Sequence, residues 1–400
     1  MKVAALALAA VLLAGCSVPD APPATPAGVR TGTGASSPGL PPSSGSSTPS
    51  PTTSPTSSST SPACTAEASA LGLRRQVGQL IMVGVGVGSP QRAVIRRYSL
   101  GSAIVMGPTP GGVRQVAALT KTLRSAAGDT GMLVAADQEG GTVQRLRGPG
   151  FARIPSGSRQ AALSDARLKA RATTWGRAMA KAGVLLDLAP VADVVPAANR
   201  ARNQPIARLG RGYGSDPATV SAKVEAFRAG LADAGVAVAV KHFPGLGAVT
   251  GNTDFAAKVV DRTTTARSPL LQPFRDAAAS GAEAVMVSSA FYARIDPDRP
   301  ALFSPDVIGL LRGWGFDGVV VSDDLGAAAA LKSVPVSRRA SRFVAAGGDL
   351  ALTVDARAAG HMAEGLYRKA RTDSELAARV AESAARVLAL KAALGLYRCG

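Results

Sequence analysis

Eight runs of strand length, apolar or nearly so and bounded by Gly or Pro, alternate along this chain with helix-compatible stretches. That alternation constrains the fold more than any other feature. The runs are Gly78 to Val85, Gly101 to Met106, Met132 to Ala136, Leu185 to Val191, Val236 to Val240, Ala282 to Ser288, Gly318 to Ser322 and Asp349 to Val354. Between them lie Gly112 to Ala127, Gln160 to Ala182, Pro217 to Ala234, Pro269 to Ser280, Pro305 to Gly313 and Ser337 to Ala346, and a last helical stretch, Ala356 to Ala393, closes the chain. Strands of this kind are covered on both faces, which in an alternating chain means an all-parallel sheet with right-handed crossovers. Eight repeats favour closure into a single α/β domain, a (β/α)8 TIM-type barrel, over an open doubly wound sheet. The Rossmann-like rival lacks its signature, because no Gly-x-Gly-x-x-Gly follows a first strand and opens a helix. Gly84-Val85-Gly86-Val87-Gly88 has the wrong spacing and reads as a loop.

The N-terminal segment cannot join such a core. MKVAALALAAVLLAGC has one basic residue, a short apolar run and small residues ending at Cys16, which fits a secretory signal peptide and is too short for a comfortable membrane span. Leu13-Ala14-Gly15-Cys16 has the form of a bacterial lipobox, so residues 1–16 read as a lipoprotein signal with Cys16 acylated; the alternative is an ordinary secretion signal. From Ser17 to about Pro62 the chain is Ser, Thr, Pro and Gly with almost nothing to bury, so residues 17–63 are expected to form a disordered tether and 64–400 the folded domain. The tether reads as a passive spacer, and its Ser/Thr density would permit glycosylation. The protein is then expected outside the cytoplasm, lipid-anchored to the cell membrane, facing the cell wall.

Cys64 and Cys399 stand just before and just after the folded region, and in an oxidising compartment that pair invites a disulfide over two free thiols. The only histidines are His242 and His361, and no Cys/His cluster has metal-ligand spacing, so neither a metal nor a cofactor is expected. The formal charge of +18 lies almost wholly in the folded part. With 4% aromatics and an export signal, nucleic acid is a poor partner for it. Anionic lipid or acidic wall polymer explains the charge better, unless it reflects an Ala/Arg-rich composition. A monomer is expected.

Polar residues recur immediately after the apolar runs: Asp137, Asp193, Lys241 with His242, and Asp323 with Asp324. Those are C-terminal strand ends, where a barrel of this kind builds its active site. Adjacent residues on an extended segment point to opposite sides, so only one of Asp323 and Asp324 faces the mouth. Asp323 is assigned that role, and Asp324 a supporting one such as capping the Ala-rich segment that follows. Asp137 and Arg145 flank the turn Gly140-Gly141 and could bracket a sugar; the structural alternative is an ordinary turn. A Lys and a His at a buried strand end, Lys241 and His242, need a reason to be desolvated; the alternative is a solvated loop start.

These residues fall in five ordered segments: Asp137-Gln138-Glu139-Gly140-Gly141 with Val143 and Arg145, Leu188 to Val194, Gly212-Tyr213-Gly214-Ser215-Asp216-Pro217, Lys241-His242-Phe243-Pro244-Gly245, and Ser322-Asp323-Asp324-Leu325. Together they resemble the motifs of bacterial glycoside hydrolase family 3 β-N-acetylglucosaminidases of the NagZ type, over about residues 70 to 395. The resemblance implies a (β/α)8 barrel, a terminal β-linked N-acetylglucosamine as substrate, hydrolysis with retention and no metal. It makes Asp323 the nucleophile, and Asp137, Arg145, Arg211, Lys241 and His242 the groups that hold the sugar hydroxyls. Nearby cations are expected to keep Asp323 ionised.

One departure stands out. In that family the loop after Lys-His-Phe-Pro-Gly carries a second His and then an Asp-Ser-His stretch whose His is the general acid/base. Here the second His is Leu246, the later stretch reads Gly251-Asn252-Thr253-Asp254, and the loop has no histidine. Asp254 is the obvious replacement, as in a two-carboxylate glycosidase, with Lys258 and Asp261 also in the loop. Gly245, Gly247 and Gly251 are expected to hinge it. Two alternatives stay open: hydrolysis of another sugar such as a β-glucoside, since no residue is identified that reads the acetamido group, and a non-catalytic sugar-binding lipoprotein.

Overall fold

The computed structural model describes residues 62–399, so Cys16 and the expectations for residues 1–61 lie outside the described residues. The eight runs become β1 (Ile81–Val85), β2 (Ser102–Val105), β3 (Leu133–Ala136), β4 (Leu186–Asp187), β5 (Ala237–Phe243), β6 (Ala284–Val287), β7 (Val319–Ser322) and β8 (Ala351–Thr353). They form one sheet in the order β7-β6-β5-β4-β3-β2-β1-β8, all neighbours parallel. A parallel bridge between Val321 and Leu350, with the Ser322 amide donating to the Leu350 carbonyl at 3.0 Å, joins β7 to β8 and closes the ring.

Strand alternation sorts the barrel into two apolar layers. Inward rows are built by Met82, Ile104, Leu133 and Ala135, Leu186 and Leu188, Ala237 and Ala239, Ala284 and Met286, Val319 and Val321, and Leu350 and Leu352. Their outward neighbours, such as Val83, Val105, Val134, Val238, Val285 and Val320, pack under the helices. Period-2 geometry explains why runs apolar at both parities were needed. Helix starts are set locally: Asp216 and Ser304 accept the Thr219 and Val307 amides, each followed by Pro at the first helical position.

Helix Ser374–Ala393 closes the N-terminal end of the barrel, sending Val387 and Leu390 into the inward layer. Lys391 of this helix is fully buried and donates to Gln79 Oε1 at 2.6 Å and to the Thr130 and Gly131 carbonyls, each at 3.2 Å. Helix Pro62–Ala70 packs against it, and Cys64 is bonded to Cys399 with Cα atoms 4.9 Å apart, as the cysteine placement suggested.

Several local expectations change. The run at Gly78 becomes strand only from Ile81, because Gly72–Gln79 is helical. Gly84 and Val85, which belong both to the first apolar run and to the glycine-rich stretch read as a loop, complete β1 as strand; a Cβ on Gly84 would lie 2.3 Å from the Val354 carbonyl, so the glycine is there for close strand packing. The long last helix is two, Ala356–Ala370 and Ser374–Ala393, parted where Asp373 caps the second through the Leu376 amide. A short hairpin, Gln138–Gly140 with Val143–Gln144, and a small sheet of Val260–Asp261, Phe291–Tyr292 and Asp296–Pro300 are additions at the loops.

Candidate active site

The inward rows do not stop at the apolar layer. Two residues beyond Ala135 comes Asp137, two beyond Ala239 comes Lys241, and two beyond Val321 comes Asp323, so strand alternation alone turns all three side chains into the C-terminal mouth. His242 would face away, but the β5–β6 register shifts between Lys241 and Phe243. This bulge leaves His242 as an extra residue, and both Lys241 and His242 line the cleft. The cleft, of about 490 Å³, is bordered by Asp137, Glu139, Arg145, Arg211, Lys241, His242, Asp254 and Asp323. A larger groove of about 870 Å³, holding His361, lies between the helices Val336–Ala345 and Ala356–Ala370, away from the strand ends. All the residues assigned to the sugar site therefore converge on one place.

Their pairing is mostly internal. Lys241 Nζ donates to Asp137 Oδ1 at 2.8 Å and lies 2.7 Å from Glu139 Oε1. Arg211 forks onto Glu139, Nε to Oε2 at 2.9 Å and NH2 to Oε1 at 2.7 Å, and also donates to the Pro205 carbonyl at 2.9 Å. Glu139 thus bridges the two cations. Burial would raise its carboxyl, yet Lys241 and Arg211 hold it well below the ordinary range. Burial likewise opposes the Lys241 charge, and Asp137 and Glu139 overcome it, holding the ammonium above the lysine range.

His242 is oriented by Asp193, whose Oδ2 lies 2.7 Å from Nδ1 and whose Oδ1 accepts the His242 and Leu246 amides. Arg211 NH2 is 3.1 Å from Nε2, and a guanidinium can only donate. Nε2 must accept, so Nδ1 carries the hydrogen and donates it to Asp193.

The cations expected to keep Asp323 ionised are committed elsewhere. Lys241 and Arg211 are engaged with Asp137 and Glu139, burial pushes Asp323 up, and the charge of Asp254 adds to it. Asp324 also borders the cleft, but its Oδ1 accepts the Gly326 amide at 2.8 Å and the Val354 amide at 3.3 Å. It ties the turn after β7 to the end of β8; the segment that follows it directly is a turn and a short 3-10 stretch, Ala329–Leu331, and the helix Val336–Ala345 begins too far on for Asp324 to cap.

In the loop after β5, Asp254 lines the cleft while its alternatives do not. Asp261 is buried, its Oδ1 accepting the Thr263 and Thr264 amides at 2.7 and 2.9 Å and its Oδ2 the Thr264 hydroxyl, and the Lys258 ammonium stands 4.9 Å over the Phe291 ring. The hinge expectation is corrected at Gly247, where an added Cβ would lie 1.7 Å from the Val194 carbonyl. Asn199 and Asn203 further hold the Gly247 and Val249 carbonyls through Nδ2 at 2.9 to 3.2 Å. The loop is pinned up to Val249, and the exposed part follows.

Three contributors lacked an assigned role. Glu139 follows Asp137 by two on an extended hairpin, a period-2 signal that could have revealed it. Asp193 was noted only as a strand-end acid. Asp187, hidden inside an apolar run, accepts the Gln138 amide at 3.0 Å, has a buried Oδ2 without a hydrogen-bond partner, and is pushed up to about 8 by burial.

Residues 72–390 match the model of the glycosyl hydrolase family 3 N terminal domain. The chain is 32% identical over 370 residues to the beta-hexosaminidase LpqI of Mycobacterium tuberculosis, covering 88% of this chain and 87% of that protein. It is 35% identical over 291 residues to a beta-hexosaminidase of Alkalilimnicola ehrlichii, covering 69% and 80%. The crystal structure of a beta-N-acetylhexosaminidase from Beutenbergia cavernae superposes with a TM-score of 0.79 at 43% identity, covering 80% of this chain and 99% of that one. With a barrel closed by eight parallel strands and its charged residues gathered at their C-terminal ends, the chain belongs to glycosyl hydrolase family 3.

Proposed function

We propose that the protein is a retaining exo-β-N-acetylhexosaminidase that releases terminal β-linked N-acetylglucosamine from cell-wall saccharides. The observation that carries this reading is Asp323 at the end of an inward row, beside a cluster of hydroxyl-binding charges, with the loop carboxylate of Asp254 on the same cleft. In the first step an Asp323 oxygen attacks the anomeric carbon as the bond to the leaving oxygen breaks, and Asp254 delivers its proton to that oxygen. In the second, Asp254 takes a proton from water, whose oxygen displaces Asp323 from the same carbon. Lys241 retains one ammonium hydrogen, and the exposed Arg145 guanidinium has no ion pair among the described residues, so both are available to sugar hydroxyls; Asp137 offers its second oxygen.

Anchoring through Cys16 belongs to the same proposal, since a tethered enzyme outside the membrane meets peptidoglycan fragments first. The test is hydrolysis of a chromogenic β-N-acetylglucosaminide against the matching β-glucoside, with Asp323→Ala as control. Preferred turnover of the first, abolished in a folded Asp323→Ala variant, is expected. Preference for the glucoside would overturn the sugar assignment. The missing loop histidine favours the second reading, a sugar-binding protein; sugar binding without any turnover would establish it.

A further inference from the structure

Among the described residues two large apolar side chains are exposed, Phe255 at 84% and Leu209 at 41%, and both border the candidate active-site cleft. They arrive from different loops, Leu209 from the 3-10 turn Ala207–Leu209 after β4 and Phe255 from the loop after β5. An isolated exposed apolar residue is ordinary, whereas here both of them border one cleft. The turn that carries Phe255 is built: the Asp254 amide donates to Asn252 Oδ1 at 2.9 Å, and the Phe255 and Ala256 amides donate to the Asn252 carbonyl at 3.2 and 3.0 Å. Phe255 is therefore fixed as the immediate neighbour of Asp254.

The cleft has a polar floor and an apolar rim. Asp137, Glu139, Lys241, Arg211 and His242 at the strand ends suit the hydroxyl edge of one sugar, whereas a phenyl ring and an isobutyl group suit the C–H face of a pyranose. In an exo-acting enzyme the terminal sugar lies on the floor and the leaving group projects to the mouth beside the acid.

We infer that Phe255 and Leu209 form the leaving-group subsite and select a leaving group that presents an apolar ring face, such as a second pyranose, over a small alcohol. The inference rests on the glycosidase reading above and adds to it the residues that choose the leaving group.

The test compares a β-linked N-acetylglucosamine disaccharide with methyl β-N-acetylglucosaminide. Both leaving groups are alkoxides with similar need for protonation, so any disturbance of Asp254 acts on both, and the ratio of their kcat/KM values isolates the subsite. Phe255→Ala is expected to lower the disaccharide-to-methyl ratio about tenfold, Leu209→Ala to lower it less, and Phe255→Trp to hold it within about twofold. An unchanged ratio in Phe255→Ala, with both rates intact or both reduced, overturns the inference while leaving the glycosidase reading standing. Absence of turnover of either substrate by the unsubstituted protein overturns that reading, and this inference with it.

Discussion

Replacing Asp187 by Asn is expected to abolish a loss of stability of roughly 4 kcal/mol that the native protein undergoes between pH 5 and pH 8. The Asp187 carboxyl is buried at the end of β4, and burial raises it from 3.8 to about 8, with the charges of Asp137 and Glu139 adding to the effect. Its folded value lies above its unfolded one, so the contribution to stability is complete below the unfolded value and is lost as pH rises through the folded value. Within that window the native state keeps a proton that the unfolded chain releases, a slope of about 1.36 kcal/mol per pH unit. Three units at that slope, less the half-titration at pH 8, give roughly 4 kcal/mol. Asparagine cannot ionise, yet it retains an oxygen to accept the Gln138 amide. Its amide nitrogen at the position of the unpartnered Oδ2 costs about 1–3 kcal/mol, but at every pH, so it cancels from the slope. Reversible urea unfolding of both proteins across pH 5 to 8 reads the difference directly. A difference that stays flat within about 1 kcal/mol would mean that Asp187 is ionised in the fold and that the charge arrangement beneath the cleft has been misjudged.

Asp254→Ala should impair substrates with poor leaving groups far more than activated aryl glycosides, with partial rescue of the aryl substrates by azide; equal losses on both would remove Asp254 as acid/base. Cys64→Ser with Cys399→Ser should lower stability by up to about 6 kcal/mol in the loop-entropy model, read as a shift in denaturant midpoint that reductant reproduces in the native protein, and an unmoved midpoint counts against a stabilising bridge. Lys391 is pushed down to about 7 by burial from 10.5, so the unfolded chain binds more protons between those values and native stability rises with pH. Lys391→Met should remove a rise of roughly 3 to 4 kcal/mol between pH 7 and 10, and parallel stability curves for the two proteins would refute this. Cys16→Ser should move the protein from membrane to soluble fraction; a variant that stays with the membrane sinks the lipid-anchor proposal.

The barrel was legible in the sequence because a parallel strand buried on both faces needs an apolar run at both parities, and eight such runs separated by helical stretches leave few other ways to cover them. Asp137, Lys241 and Asp323 were legible for the same reason: each continues the inward parity of its strand two residues past the apolar layer. The Cys64–Cys399 pairing followed from two cysteines framing one domain. What the chain alone did not disclose depends on contacts between segments far apart in sequence. Glu139 bridges Arg211, 72 residues away, and Asp193 orients His242, 49 residues away. Propensity and periodicity carry no information on such partners. The direction of the Asp323 shift also belongs to tertiary structure, since the cations that sequence placed near it are held by other carboxylates and burial then dominates. Gly247 looked like a hinge in the chain and proved to be a packing contact, because a glycine's freedom is an intrinsic property while the 1.7 Å approach of the Val194 carbonyl to a would-be Cβ exists only once two loops have met.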